Sequence, residues 1–167
     1  MRNRHVIAVG VDGSDAAEAA LLWAAREAYQ RGGVLLVLHA WNRHLRPPAP
    51  YAPVPGPDDE HRAGMRLLER SVDMVGAGFP GLPVRTVLSG LRPEQALTGV
   101  TGADLLVLGS AAQQPGDGRL GAVLLACLRW PPCPVVVVQT PACTSPAGGS
   151  SAHGSATRAR RRGIRVH

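Results

Sequence analysis

Five short apolar runs recur along the chain, and they constrain its fold more than any other feature of the sequence. The first, second and fourth runs are apolar almost throughout, which is typical of strands buried on both faces of a sheet. Stretches with helical spacing of apolar residues separate the runs. The predicted strands are Val6–Val11, Val34–Ala40, Pro83–Leu88, Asp104–Gly109 and Pro134–Gln139, and the predicted helices are Asp15–Arg31, Asp58–Val75, Pro93–Val100 and Leu120–Arg129.

The alternation of strands and helices predicts a doubly wound α/β fold, in which helices cover both faces of an open parallel sheet. Ligands in such sheets bind beyond the carboxyl ends of the strands, where the strand order reverses. The segments expected at that edge are Val11–Ser14, Ala40–Trp41 and the residues from Gly109 onward. At the start of the first helix, Asp15 and Glu18 resemble a capping box.

The net charge of +6 comes largely from the end of the chain. Residues 1–139 contain thirteen Arg and all twelve acidic residues, whereas residues 140–167 contain five Arg and no acid. A nearly neutral body argues against a basic surface that reads DNA. We therefore divide the chain into a domain at residues 1–140 and a tail at residues 141–167. The Ser, Gly, Ala, Pro and Arg composition of this tail predicts disorder.

The arginines of the tail are one candidate contact for an anionic partner. They are Arg158, Arg160, Arg161, Arg162 and Arg165. Such a cluster would bind nucleic acid or an anionic membrane without sequence specificity. The alternative is a solvated tail without a partner.

Several kinds of chemistry lack their residues in this sequence. There is no lysine, which excludes a P-loop lysine and a Schiff base. No nucleophile elbow or zinc-protease motif occurs, so we expect no enzymatic activity. The histidines, of which His39 and His44 are the nearest pair, do not have metal-ligand spacing, and we expect no metal.

The cysteines and the hydropathy pattern bear on the compartment. Cys127, Cys133 and Cys143 form no CxxC motif and no even set, which favours reduced thiols in a cytoplasmic protein. No apolar stretch approaches the ~18 residues that a membrane span requires. We therefore expect a soluble cytoplasmic protein without a membrane span.

Four motifs occur in order on the predicted strands: Val9–Ser14, Leu36–Trp41, Ala103–Ser110 and Cys133–Val138. With them, and with Gly90–Glu94 before the third helix, the chain resembles the universal stress protein family over residues 4–140. The resemblance implies a five-stranded sheet of order 3-2-1-4-5, Rossmann-like and close to the adenine nucleotide alpha hydrolases.

The same resemblance implies a homodimer formed through the last strand, at Val135, Val136, Val137 and Val138. This apolar run lies at a predicted sheet edge, and an open edge is an aggregation liability unless something covers it. The alternative is that the tail covers this edge.

ATP-binding members of the family carry a glycine pattern after the fourth strand, which would cradle phosphate with backbone N–H groups. The family pattern is Gly, two residues, Gly, nine residues, Gly, then Ser or Thr. Here Gly109 is kept, Ala112 replaces the second glycine, Gly121 comes one residue early and Ala122 replaces the hydroxyl residue. The implied nucleotide site is Val11, Asp12, Ala40, Leu108, Gly109, Ala112, Gly121, Ala122 and Val123.

Two readings of individual residues stay open at this point. Asp12 corresponds to the family carboxylate at the adenine and ribose end, and the alternative role is turn and helix-cap chemistry. The string Gly116–Gly121 contains Arg119, which would either restore charge to the cradle or lie as a solvated loop arginine.

The sequence and the resemblance together predict a non-enzymatic regulatory stress protein. It would act as a dimer through an unidentified regulatory protein partner, with weak or absent ATP binding. The alternative is an ATP-binding switch, in which occupancy of the site changes the surface offered to partners.

Overall fold

Strands and helices alternate along the chain as the sequence predicts. The computed structural model describes residues 5–41, 56–111 and 121–140. Ala112, Arg119, Cys143 and the tail lie outside the described residues, as do residues 42–55. The elements are β1 (Val6–Gly10), α1 (Asp15–Gln30), β2 (Val34–Ala40), α2 (Pro57–Gly78), β3 (Val84–Ser89), α3 (Pro93–Thr98), β4 (Leu105–Ala111), α4 (Ala122–Arg129) and β5 (Val135–Thr140).

The five strands form one parallel sheet in the order β3-β2-β1-β4-β5. This confirms the predicted fold and strand order. Because the chain moves outward from β1 to β3 and then returns to β4 beside β1, the order reverses between β1 and β4. The carboxyl ends of those two strands therefore separate and leave room for a ligand.

Alternate residues of the strands contribute to two apolar clusters on opposite faces of the sheet. Ile7 and Val9 of β1 pack with α1 and α2, whereas Ala8 packs with α3 and α4. Val136 and Val138 of β5 join the first cluster, and their neighbours in β5 join the second. Helices therefore cover both faces, as predicted.

The third strand differs from the expectation of strands buried on both faces. Arg85, Thr86 and Val87 of β3 are exposed. Since β3 lies at the edge of the sheet and α3 has only six residues, the described helices leave the α3 and α4 side of this strand largely uncovered. The sequence Val84–Ser89 reflects this, since it contains an Arg and a Thr.

The ends of two helices also differ from prediction. The residue that caps α1 is Ser14, and Asp15 is the first helical residue, so the expected capping box at Asp15 and Glu18 is wrong. Helix α2 continues past Val75 to Gly78, where the Phe79 N–H donates to the Val75 carbonyl at 2.8 Å. The Phe79 ring packs against the first cluster, which holds this last turn in place despite its glycines.

None of the helices in the described part of the chain is long and apolar enough to cross a membrane.

Candidate functional site

A cavity of about 330 Å³ lies at the carboxyl edge of the sheet, where the strand order reverses. The ends of β1, β2 and β4 form its floor, and the first turns of α1, α3 and α4 form its walls. A volume of this size falls within the range of small-molecule sites. Its lining residues are Gly10, Val11, Asp12, Ser14, Ala17, Leu38, Ala40, Pro93, Leu97, Leu108, Gly109, Ser110, Gly121, Ala122, Val123 and Leu124.

Eight of the nine residues predicted for the nucleotide site line this cavity, and the ninth, Ala112, lies outside the described residues. The parallel sheet explains why they meet, because the carboxyl ends of all its strands lie at one edge. The structure thus brings the predicted positions together. Their roles in binding stay predictions.

Asp12 organises the turn between β1 and α1. Its Oδ1 accepts hydrogen bonds from the Ser14 backbone N–H at 2.9 Å and from the Ser14 hydroxyl at 2.6 Å. Ser14 Oγ in turn accepts a hydrogen bond from the Ala17 N–H at 3.2 Å. Gly13, between Asp12 and Ser14, has φ +84°. The turn and cap role of Asp12 is therefore present. It leaves the exposed Asp12 side chain at the rim of the cavity.

Gly109 is explained by packing alone. A Cβ at this position would lie 2.2 Å from the Ala16 carbonyl oxygen and 2.7 Å from the Ala17 backbone nitrogen. The first turn of α1 thus crosses directly over β4 at Gly109, and any side chain at Gly109 would clash with the α1 backbone. The glycine is required for this crossing whether or not a phosphate binds nearby.

The first turn of α4 presents backbone donors to the cavity. Gly121 is the N-cap and has no side chain to bond the free N–H groups of the turn, and Ala122 has no hydroxyl. The positive end of the helix dipole nevertheless favours an anion at this wall.

The electrostatics of the cavity are unusual for a site that would hold several phosphates. Among its described lining residues Asp12 is the one charged side chain, and it is an acid. No arginine lies among them, and no group of metal-ligating residues occurs in the described ranges. An anion in this cavity would depend on backbone N–H groups and hydroxyls.

Several lining residues were not among the nine predicted nucleotide-site positions, although Ser110 lies in the segment from Gly109 onward that was expected at this edge. Ser110, the penultimate residue of β4, brings a hydroxyl to the cavity, and Pro93 and Leu97 place α3 against it. Two of these residues had a signal: Ser110 closes the quoted motif of the fourth strand, and Pro93 lies within Gly90–Glu94 at a helix start. Leu38 alternates with His39 on β2 and could have been placed by strand periodicity.

Comparison with known proteins agrees with this architecture. The profile of the Universal stress protein family matches residues 3–139. The chain belongs to the universal stress protein family.

Two curated relatives carry the same family name. Universal stress proteins of Mycobacterium bovis and Mycobacterium tuberculosis are each 31% identical to the chain over 146 residues, which covers 83% of this chain and 49% of the relative. The chain therefore spans about half the length of the curated relatives it matches.

Solved structures of the family share the fold. A universal stress protein from Archaeoglobus fulgidus superposes with a TM-score of 0.60 at 23% identity, covering 80% of this chain and 93% of that one. A universal stress protein in complex with cAMP has a TM-score of 0.61 at 20% identity over 81% and 97% of the two chains. The Archaeoglobus fulgidus protein in complex with dAMP has a TM-score of 0.58 at 22% identity over 83% and 99%.

Proposed function

We propose that this chain is a non-enzymatic, cytoplasmic regulatory member of the universal stress protein family. It binds the adenosine part of a nucleotide weakly and acts as a dimer through a protein partner. The observation that carries the proposal is the cavity itself, which has the position and the walls of a nucleotide site but no cationic side chain among its described residues.

The adenosine end of the cavity is supported by its lining. Val11, Leu38 and Ala40 offer an apolar wall, and the Asp12 carboxylate can accept hydrogen bonds from ribose hydroxyls. Two structures with the same fold were solved with adenine mononucleotides, cAMP and dAMP. An adenine mononucleotide is therefore the class of ligand that we assign to this cavity.

The phosphate end is weaker than in the family pattern. Ala122 lacks the hydroxyl donor, and the loss of one such bond costs about 1 kcal/mol. The loss of the second glycine, at Ala112, costs another ~1 kcal/mol if the position requires positive φ. Together these changes correspond to roughly 30-fold weaker binding of a polyphosphate. AMP, ADP and ATP should therefore bind with similar, low affinity.

The proposal of a non-enzymatic protein rests on the same lining. Asp12 is the one titratable side chain among the described lining residues, and both of its bonds are made to Ser14. General acid and base catalysis of hydrolysis needs a group free to move a proton at the reacting atoms. The engagement of Asp12 with the α1 cap argues for a structural carboxylate.

The dimer is proposed through the outer edge of β5, which has no strand partner among the described residues. The Leu106 N–H donates to the Pro134 carbonyl, so the polar backbone groups of Val135 and Val137 point away from β4. Their side chains pack within the second cluster. The edge therefore offers backbone hydrogen bonds to a second copy while α1 and α4 protect its faces.

A nucleotide-dependent switch is the second candidate function, and one observation favours it. The first turns of α1 and α4 both line the cavity, and the positive ends of two helix dipoles favour an anionic ligand there. If ATP binds tightly despite the missing donors, occupancy could control the surface offered to partners.

Calorimetric titration with AMP, ADP and ATP tests these candidates. We expect weak binding of all three within about a few-fold of one another. Ala122→Ser should favour ATP by about five-fold, because a restored hydroxyl bond contributes about 1 kcal/mol. Ala126→Ser on the same helix, outside the cavity lining, is the matched control and should change nothing.

Other outcomes would decide against the proposal. Tight, ATP-selective binding by the unmodified protein would support the switch instead. Absence of binding by all three nucleotides would remove the nucleotide from the proposal and leave the partner-binding role to be tested alone.

A further inference from the structure

Val11, the first residue beyond β1, has both of its backbone polar groups bound to β2. Its N–H donates to the Leu38 carbonyl at 2.9 Å, which continues the ladder between the two strands. Its carbonyl accepts a hydrogen bond of 2.8 Å from His39 Nδ1. Because a carbonyl can only accept, Nδ1 of this imidazole carries the hydrogen.

This side-chain bond occurs where the regular pairing of β1 and β2 stops. The last paired residues are Gly10 and Leu38. The chain then turns toward α1 through Asp12 and Gly13, with Gly13 in the left-handed region at φ +84°. The imidazole therefore supplies a donor to a carbonyl at the place where the chain leaves the sheet.

The position of His39 on β2 separates it from the cavity that it influences. Leu38 and Ala40 line the cavity, and His39 between them does not. Its ring lies on the α2 side, where a Cβ built on Gly64 would be 3.0 Å from His39 Cδ2 and 2.8 Å from Leu88 Cδ1. The close approach of α2 at Gly64 thus confines the ring from behind.

We infer that His39 is a positioning residue for the nucleotide cavity. It acts through the Val11 carbonyl, which fixes the direction in which the chain enters the Asp12 turn. This inference rests on the proposed function, because the group that it positions, Asp12, is the carboxylate assigned to the ribose. His39 does not touch the ligand.

Loss of the hydrogen bond from His39 to Val11 would disturb the lining of the cavity. Val11 and Asp12 both line it, and Asp12 in turn holds Ser14 at the start of α1. If the imidazole bond is lost, the Val11 carbonyl is free to rotate and the peptide that leads into Asp12 rotates with it. The carboxylate would then sample positions that a bound ribose cannot use.

Three variants of the full chain test the inference. His39→Leu keeps bulk but removes the donor. His39→Asn places an amide N–H at the same number of bonds from the backbone as Nδ1. His5→Leu removes a histidine that lies beside Asp104 and not in either the cavity lining or the Val11 contact, so it is the control.

The first measurement is AMP affinity by calorimetry. We expect His39→Leu to weaken binding by about five-fold to ten-fold, the usual effect of one lost hydrogen bond. We expect His39→Asn to bind within about two-fold of the unmodified chain. Equal affinity in all variants overturns the inference. Equal losses in the Leu and Asn variants also overturn it, because they would assign His39 to packing.

The second measurement does not need a ligand. The Ser14 backbone N–H bonds to Asp12, so its hydrogen exchange reports whether the turn is ordered. Exchange at Ser14 should be about ten-fold faster in His39→Leu and unchanged in His39→Asn and His5→Leu. Unchanged exchange in His39→Leu overturns the inference even if AMP fails to bind, so the failure of the proposed function can be told apart from the failure of this one.

Gly64→Ala provides a variant that keeps the imidazole. Its methyl group would press on His39 Cδ2 from the α2 side, outside the lining of the cavity. It should speed exchange at Ser14 as His39→Leu does. This variant covers the case in which His39→Leu does not fold, and unchanged exchange in a folded Gly64→Ala protein then counts against the inference.

Discussion

Two glycines have opposite surroundings, so the same substitution should have opposite effects on them. Gly109→Ala would place a methyl group 2.2 Å from the Ala16 carbonyl oxygen, where backbone must move. We expect the free energy of unfolding to fall by about 3 kcal/mol, at the upper end of overpacking costs. Gly76→Ala meets no atom within 4 Å and lies inside α2, so it should raise that free energy by about 0.5–1 kcal/mol.

Denaturant titration of the two variants measures both changes. Equal, small effects would show that α1 can move away from β4 without cost, and would return Gly109 to its interpretation as a phosphate glycine. A lower free energy of unfolding in Gly76→Ala would show that α2 does not tolerate a side chain at this position for a reason other than steric contact.

Cys127 gives the protein a predicted sensitivity to alkaline conditions. Burial, and secondarily the Glu94 carboxylate, raises the pKa of this thiol above its ordinary 9.0. The unfolded chain therefore loses the proton at lower pH than the folded protein. The stability contributed by the neutral thiol is complete below pH 9.0 and is lost as the pH rises through the folded-state pKa.

Cys127→Ala should remove this part of the pH dependence. We expect the unfolding free energy of the unmodified chain to fall more between about pH 8 and pH 10.5 than that of the variant. Cys133→Ala is the comparison, because that thiol is only half-buried, although its pKa is also raised by burial and then by Asp104. Parallel curves for Cys127→Ala and the unmodified chain would contradict the assignment.

The sequence indicated which residues lie near the cavity, but it did not reveal why each residue type is needed there. Asp12, Ala40 and Gly109 line the cavity because each lies at or near the carboxyl end of a strand of the parallel sheet. The reason for Gly109 was not accessible, since it depends on contact with Ala16, far away in the chain. The bond from His39 to Val11 likewise joins residues that only the fold brings together.

Among the elements, all nine described ones were predicted, and the errors concern the cover of β3, the cap of α1 and the end of α2. Periodicity locates a strand or helix but does not reveal how far its neighbours extend. Strand β3 is more exposed than expected because α3 is short. Helix α2 runs longer because packing of Phe79 on the first cluster outweighs the low helix propensity of its last glycines.

Strand β5 is the element through which we propose that the chain dimerises, since its outer edge has no strand partner among the described residues. Val137→Pro would remove an N–H that points away from β4 and leave the bonds to β4 intact. We expect the unmodified chain to be a dimer by light scattering and Val137→Pro to be a folded monomer. Val137→Ala keeps the N–H while trimming the side chain, and should remain dimeric.

The Val137→Ala control distinguishes the loss of an edge hydrogen bond from the loss of apolar packing by the side chain. A dimer in Val137→Pro would show that the interface lies elsewhere. If that variant does not fold, Gln139→Pro repeats the test, since Gln139 is exposed and its backbone points outward as well.

Charge is distributed unevenly over the whole molecule. Residues 1–140 contain thirteen Arg and all twelve acidic residues, so this part of the chain is nearly neutral. Residues 141–167 contain five Arg and no acid. A nucleic acid or an anionic membrane would therefore be attracted to the tail and not to residues 1–140.

Removal of residues 141–167 tests whether the tail acts independently of the domain. All five strands and both apolar clusters lie within residues 5–140, so the melting temperature should change by no more than about 2 °C.

Any binding to DNA by the full chain should be lost in the truncated chain. Its logarithmic salt dependence should have a slope no steeper than about −4.5, since five arginines neutralise at most five phosphates. Replacement of the five tail arginines by Gln keeps the length and should abolish binding equally, which assigns the effect to charge. Retained DNA binding after truncation would place the contact on the domain, and a melting temperature lowered by many degrees would show that the tail packs against it.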